Sequence, residues 1–120
     1  MQLSLPAELG IRACTLLAER NGERPVRLSD ICECRDCKKD TLVKVMKDLA
    51  RADLVRPVRG NQGGYVLRKE PSEVTLLDII EAIEGTQALN RCQHFPSDCD
   101  NSETCKVQLV WKRIQENYLR

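Results

Sequence analysis

Hydrophobic residues recur every three or four positions in several segments of the chain, which is the spacing that places side chains on one face of an α-helix. This pattern predicts helices over residues 8–19, 29–32, 39–52, 76–84 and 106–119. In the third of these helices, the apolar stripe consists of Leu42, Val45, Met46 and Leu49. Ser29 and Thr75 are expected to cap two of the helices, because a hydroxyl oxygen accepts a hydrogen bond from a free backbone N–H group. Gly22 and Gly85 are expected to end two of them.

Two short apolar runs, residues 54–58 and 65–67, flank a glycine-rich turn over residues 60–64. This arrangement predicts two antiparallel strands joined by a tight turn. The helices over residues 29–32 and 39–52 are predicted to be joined by a short turn, as in a helix-turn-helix. A hairpin directly after a helix-turn-helix is the wing of a winged helix. Without the hairpin, the two helices would fit equally well a helical pair packed for stability.

The predicted fold is mainly α-helical with one small β-hairpin. We expect a winged helix-turn-helix DNA-binding domain over residues 1–85, a loop over residues 86–105 and a dimerisation helix over residues 106–120. The last helix places five apolar residues on one stripe: Val107, Val110, Trp111, Ile114 and Tyr118. Such a stripe at the end of a small domain is typical of a dimer interface, although packing against its own domain would produce the same pattern.

Composition excludes several classes of protein. A chain of 120 residues has the length of one domain, and with 3% aromatic residues its core must consist mostly of aliphatic side chains. No apolar run reaches the length of about 18 residues that a membrane-spanning helix needs, and the first residues lack the pattern of a secretion signal. The sequence shows no nucleophile–base pair and no phosphate-binding loop, so we do not expect an enzyme.

Charge is distributed unevenly along the chain, although the net charge is only +1. Residues 38–69 carry nine basic and three acidic side chains, whereas residues 70–104 carry one basic and eight acidic ones. A basic stretch of this length indicates either phosphate contacts to double-stranded DNA or the solvated face of a long helix. The candidate DNA-binding residues are Thr41, Lys44 and Lys47 on the helix, with Arg56, Arg59, Gly60, Gly63 and Gly64 in the hairpin.

Three of the seven cysteines, Cys92, Cys99 and Cys105, are separated by six and five residues within one polar segment. Thiolates are soft ligands suited to iron–sulfur clusters, and the spacing lacks the paired knuckles of a zinc ribbon. The segment over residues 86–105 is therefore a candidate cluster-binding loop. A single metal such as zinc, or redox-active thiols without a cofactor, are the alternatives. An odd number of cysteines without a secretion signal favours a reducing, cytoplasmic location.

The other four cysteines are expected to be mainly structural. Cys14 lies within the first helix, and Cys32 and Cys37 fall where a helix-turn-helix buries small apolar residues. Cys34 falls in the turn and is expected to be exposed. A second metal site or a redox disulfide among Cys32, Cys34 and Cys37 is the alternative interpretation.

Several segments together resemble the IscR/NsrR family of bacterial winged-helix transcription regulators. Residues 56–67, Arg-Pro-Val-Arg-Gly-Asn-Gln-Gly-Gly-Tyr-Val-Leu, are similar to the wing of that family, and residues 75–85 are similar to the helix that follows it. The three-cysteine loop and the opening Met-Gln-Leu-Ser also resemble that family. The resemblance implies a repressor or dual regulator that binds palindromic operators as a homodimer. It also implies sensing of nitric oxide, redox state or iron and cluster status through an iron–sulfur cluster.

The resemblance further implies how the fourth coordination position is filled. The family's [2Fe-2S] regulators have a histidine three residues after the last cysteine, where this chain has Gln108. Its [4Fe-4S] nitric-oxide sensor uses an acidic residue near the N-terminus of the partner subunit, and Glu8 matches that position. The expected ligands are therefore Cys92, Cys99, Cys105 and Glu8, with [4Fe-4S] favoured over [2Fe-2S]. The alternatives are His94 as the ligand, then Asp98 or Asp100, with Glu8 as an ordinary first-turn carboxylate.

Two other functions fit parts of the sequence. A small iron–sulfur carrier or scaffold without DNA binding would use the three-cysteine loop but would gain nothing from Lys44, Arg51 and Arg59. A clusterless, thiol-based regulator of the same fold would bind DNA without the cofactor.

Overall fold

The computed structural model describes residues 3–32, 37–88 and 105–119. The chain divides into two compact units, Met1–Gly85 and Thr86–Arg120. The described elements are α1 (Leu5–Glu19), α2 (Leu28–Ile31), α3 (Lys39–Arg51), β1 (Val55–Val58), β2 (Gly64–Leu67), a 3₁₀ turn (Pro71–Glu73), α4 (Leu76–Glu84) and α5 (Lys106–Tyr118). This order confirms the predicted class, mainly helical with one hairpin. None of the helices in these ranges is long and apolar enough to cross a membrane.

Helix α1 begins at Leu5, one turn earlier than the apolar pattern predicts. The hydroxyl oxygen of Ser4 accepts a hydrogen bond from the backbone N–H of Ala7 at 3.2 Å, which caps the helix. Pro6 fits in the first turn, where a missing N–H costs no intrahelical hydrogen bond. Beyond the end of α1, Gly22 has a φ of 84°, as a residue predicted to stop a helix should.

Helix α2 begins at Leu28, so the prediction that Ser29 caps it is wrong. The preceding residue is Arg27, whose backbone N–H donates to Oδ2 of Asp30 at 3.2 Å. The carboxylate of Asp30 thus caps the start of the helix in place of the hydroxyl expected from Ser29. Helix α2 ends at Ile31, one residue before its predicted end, and α3 begins at Lys39, as predicted.

The hairpin is antiparallel, with Val55 opposite Leu67 and Val58 opposite Gly64. Val26 extends it by an isolated bridge, in which its N–H donates to the carbonyl of Tyr65 at 3.0 Å and its carbonyl accepts from Tyr65 at 2.8 Å. The chain just before α2 is therefore held against the second strand of the hairpin. Helix-turn-helix and wing form one connected structure.

The core of the first unit lies where α1, α3, α4 and the hairpin meet. All four residues of the predicted α3 stripe are buried: Leu42, Val45, Met46 and Leu49. Cys14 is 4% exposed, which confirms its predicted place in the core, and burial raises the pKa of its thiol to about 12. A Cβ atom on Gly10 would overlap Ile83, so α1 and α4 approach each other closely at this glycine.

Helix α4 has the bounds and the cap that the sequence predicts. Oγ1 of Thr75 accepts from the N–H of Asp78, and Oδ2 of Asp78 accepts from the N–H of Thr75, both at 3.0 Å. Gly85 ends the helix with a φ of 84°. Ile79 and Ile80 are buried, whereas Leu76, at the first helical position, is 57% exposed.

Candidate functional site

Helix α3 presents a basic face on the side opposite its buried apolar stripe. Lys44 and Lys47 are both exposed there, and Arg51 lies on the same face one turn further on. Arg51 pairs with Asp48 at 3.5 Å, whereas neither lysine forms an ion pair with any residue in the described ranges. The two lysine charges are therefore available to an external anion such as a DNA phosphate.

Thr41 lies at the edge of this basic face and not at its centre. It is only half exposed and, with Lys44, lines a depression of about 120 Å³ whose opposite wall includes Ser4 and Pro6. Of the three residues predicted to contact DNA from α3, the two lysines are the more prominent.

The hairpin carries two exposed arginines beside its turn. Arg56 lies on β1, and Arg59 directly precedes the turn that begins at Gly60. Gly60 has a φ of 115°, a region that favours glycine, and its carbonyl accepts from the N–H of Gly63 at 3.0 Å. Both predicted arginines of the wing thus lie on the β1 side of a tight, exposed turn.

Internal packing accounts for two of the wing glycines. A Cβ atom on Gly63 would overlap the carbonyl oxygen of Val58, and one on Gly64 would overlap the carbonyl oxygen of Val26. Glycine is needed there to close the turn and to let the hairpin approach the chain before α2. Contact with DNA is not required to explain either residue.

Arg27 was missed by the sequence analysis. Its Nη2 atom donates to the carbonyl oxygen of Asn61 at 2.7 Å and so connects the start of α2 to the turn of the wing. Arg27 also lines, with Arg24 and Gln62, a polar cleft of about 250 Å³ between these segments. The basic residues before α2 are visible in the sequence, but no periodicity relates residue 27 to residue 61.

Two of the four predicted cofactor ligands lie within the described residues. Cys105 directly precedes α5, and its thiol is free and half-exposed. Glu8 is exposed in the first turn of α1, where its backbone N–H donates to the carbonyl of Ser4 at 3.0 Å. Both side chains are accessible to an external ligand.

The other predicted or competing ligands lie outside the described residues: Cys92, His94, Asp98, Cys99 and Asp100. Within the described ranges, no three His, Cys, Asp or Glu side chains come together in a way that could hold a metal ion. The proposed ligand set therefore stays a prediction.

Cys32 and Cys37 lie close together between α2 and α3. Both are half-buried and pack against the core, as expected for small apolar residues. Their sulfur atoms are joined in a disulfide, with the two Cα atoms 5.5 Å apart. The structure thus brings together two of the three cysteines for which a second metal site or a redox disulfide was the alternative interpretation. Cys34 lies outside the described residues.

Helix α5 has a largely uncovered apolar stripe. Val107, Val110, Ile114 and Tyr118 are between 44% and 60% exposed, and Trp111 is half-buried. Exposed apolar side chains that continue along one helix face are typical of a protein interface.

Comparisons with known proteins agree on a single family. Residues 3–120 match the Rrf2 family, described as iron-dependent transcriptional regulators. The transcriptional regulator CymR of Bacillus subtilis is 35% identical over 97% of this chain and 79% of its own length. The regulator IscR of Photorhabdus laumondii is 28% identical over 97% of this chain and 70% of its own length. The solved structure of T. potens IscR has a TM-score of 0.75 at 28% identity, covering 99% of this chain and 77% of that one.

Proposed function

The chain belongs to the Rrf2 family of transcriptional regulators, and we propose that it is a repressor or dual regulator whose DNA binding depends on an iron–sulfur cluster. The observation that carries DNA binding is the pair of exposed lysines on α3, which form no ion pair with a described residue, next to a hairpin with two exposed arginines. A carrier or scaffold without DNA binding would leave this surface without a use, and the family assignment argues against it.

The regulator would act in the cytoplasm as a homodimer on a palindromic, double-stranded operator. One winged helix contacts only half of such a site, so two copies related by a two-fold axis would bind it. Lys44 and Lys47 would approach the major groove, with Thr41 at the margin. Arg56, Arg59 and the exposed Gly60 would approach the backbone or the minor groove. Gly63 and Gly64 would contribute through their backbone.

Lys44→Ala and Arg59→Ala should each weaken DNA binding and lower the magnitude of the salt slope by about one, because each removes one phosphate contact. The measurement is affinity against salt concentration, on a duplex that the protein itself selects from a random pool. Lys69→Ala is the matched control, since it removes an exposed positive charge beside Asp78 and Glu81, away from the wing turn. Unchanged affinity and slope in both test variants would refute the proposed surface.

The donor set suits an iron–sulfur cluster. Cys92, Cys99 and Cys105 supply three soft sulfur ligands, and the Cys105 thiol is neither buried nor bonded to another cysteine. The cluster, [4Fe-4S] in preference to [2Fe-2S], would supply an iron site that reacts with nitric oxide or oxidants. It would make the protein a sensor of nitric oxide, redox state or iron and cluster status.

The chain's own residues would convert cofactor status into a change of DNA affinity. Coordination by Cys105 would fix the residue from which α5 starts, and Glu8 of the partner subunit would tie the two copies together. Release of these side chains would shift the population towards dimers whose α3 helices are differently spaced. Spacing matters because both helices must meet the operator at once.

Glu8→Cys should keep the cofactor and slow its reaction with nitric oxide or oxygen severalfold, since a thiolate replaces a hard oxygen ligand. Glu8→Ala should leave the cofactor more labile. Both effects can be followed by absorption spectroscopy under anaerobic conditions. Glu19→Ala, an exposed carboxylate at the other end of α1, should behave like the parent protein. If Glu8→Ala also matched the parent in spectrum, stability and reactivity, Glu8 would be only a helix-start carboxylate and His94 the next residue to replace.

A clusterless, thiol-based regulator of the same fold is the second candidate function. The observation that favours it is the bonded pair Cys32 and Cys37, which lies outside the proposed ligand set. Anaerobic purification followed by an absorption spectrum and counts of iron and sulfide separates the two candidates. Stoichiometric iron and sulfide support the cluster, and their absence supports the thiol-based regulator.

A further inference from the structure

The connection between α2 and α3 contains a pair of cysteines for which the proposed cluster has no use. Cys32 directly follows the last residue of α2, and Cys37 lies two residues before the start of α3. A bond between their sulfur atoms links the end of one helix to the beginning of the next. The second of these helices carries Lys44 and Lys47.

A cleft of about 380 Å³ gives small molecules access to one member of the pair. It is lined by Arg27, Leu28, Ser29, Cys32, Lys39 and Leu42. Cys37 is not among the lining residues, so of the two cysteines the cleft borders Cys32. The exposed cations Arg27 and Lys39 would attract a reagent that bears carboxylates.

The other described cysteine of the first unit would not compete for such a reagent. Cys14 is buried, and the same burial that raises its pKa to about 12 keeps it in the unreactive thiol form. Chemical accessibility therefore distinguishes the pair from the core thiol of the same unit.

We propose that Cys32 and Cys37 form a reversible thiol–disulfide couple that reacts with anionic low-molecular-weight disulfides and controls the order of the recognition helix α3. The Cys32 thiolate attacks one sulfur of the small disulfide, forming a mixed disulfide and releasing one small thiolate. Cys37 then loses its proton and attacks the Cys32 sulfur, forming the protein disulfide and releasing the second small thiolate. The two cysteines lose two electrons together, and the small disulfide gains them.

The expected consequence is tighter DNA binding by the oxidised form. With the bond made, the chain two residues before α3 is fixed to the end of α2, so less conformational freedom should be lost when α3 meets DNA. In a reducing compartment the pair would stay open until small disulfides accumulate. This consequence rests on the proposed DNA binding by α3, but it does not rest on the cluster.

The first test traps the intermediate in the full-length chain. The double variant Cys34→Ala/Cys37→Ala treated with oxidised glutathione should carry one glutathionyl group on Cys32, identified by peptide mass spectrometry, because neither neighbouring thiol is left to release it. Cys32→Ala should remain unmodified at Cys37 under the same conditions. Lys39→Ala should slow the reaction with oxidised glutathione severalfold but not the reaction with uncharged bis(2-hydroxyethyl) disulfide. The proposed chemistry would be overturned if Cys32 stayed unmodified or if Cys37 were labelled equally. It would also be overturned if Lys39→Ala slowed the reactions with both disulfides equally.

The second test measures affinity for the selected duplex in oxidised and reduced glutathione buffers. The parent protein and Cys34→Ala should bind about fivefold more tightly when oxidised, and the double variant Cys32→Ala/Cys37→Ala should show no difference. Alanine keeps an apolar side chain against the core, and circular dichroism verifies that the double variant folds. A change that arises in the proposed cluster cysteines would be present in all three proteins, so it is distinguishable. Unchanged or weaker binding by the oxidised parent, or a change of equal size in the double variant, contradicts control of α3 by this pair.

Discussion

Cys105→Ala should abolish the iron–sulfur cofactor completely. With two cysteines left in the loop, one iron would lose its thiolate, and we expect two thiolates to be too few to hold the cluster. The Cys105 sulfur is half-exposed beside the start of α5, so alanine there leaves no buried cavity and the helix should persist. We expect a colourless protein of unchanged helix content, measured by absorption and far-ultraviolet circular dichroism after anaerobic purification.

Cys34→Ala is the matched control for this result, because it removes one thiol that the proposed ligand set does not include. It should retain the full colour of the parent protein. The same loss of colour is expected for Cys92→Ala and Cys99→Ala. Full colour in Cys105→Ala would remove it from the ligand set, and loss of colour in Cys34→Ala would extend that set to the connection between α2 and α3.

The sequence was sufficient for those elements whose determinants are local. The interior of α3 follows from four apolar residues at helical spacing, all of which are buried. Both ends of α4 follow from short-range features, the Thr75–Asp78 cap and the left-handed Gly85. Helix α2 has only four residues, which is too short for periodicity to set its limits. The start of α1 depends on the cap provided by Ser4, ahead of the apolar pattern.

Some features of the candidate site likewise follow from local sequence, and others depend on residues that are distant in the chain. Exposure of Lys44 and Lys47 follows from helical spacing, because residues opposite a buried stripe must face solvent. The connection between Arg27 and Asn61 depends on how the wing folds back on α2, and no local pattern encodes it. The requirement for glycine at Gly64 likewise comes from Val26, which is distant in sequence. Sequence reasoning attributed that glycine to DNA, although its close approach to Val26 already explains it.

Ile114→Glu should convert the homodimer into monomers. Ile114 lies near the middle of the α5 apolar stripe and is 45% exposed, and the proposed dimer would bury it against a second copy. A carboxylate buried without a partner costs several kcal/mol, and two-fold symmetry would place two of them in one interface. The dimer dissociation constant should rise roughly a hundredfold or more, as measured by sedimentation equilibrium. Affinity for the palindromic duplex should fall with it, because one winged helix contacts half of the operator.

Leu109→Glu separates this effect from the general consequences of adding charge to α5. Leu109 is 68% exposed and lies on the opposite side of the helix from the stripe, so the same kind of substitution there should leave the dimer intact. The two variants also change the net charge equally, so any electrostatic repulsion of DNA is matched between them. A monomer in Ile114→Glu with a dimer in Leu109→Glu would support the α5 stripe as the interface. A stable dimer in Ile114→Glu would place the interface on another surface, and the exposed apolar residues of α5 would then need a different partner.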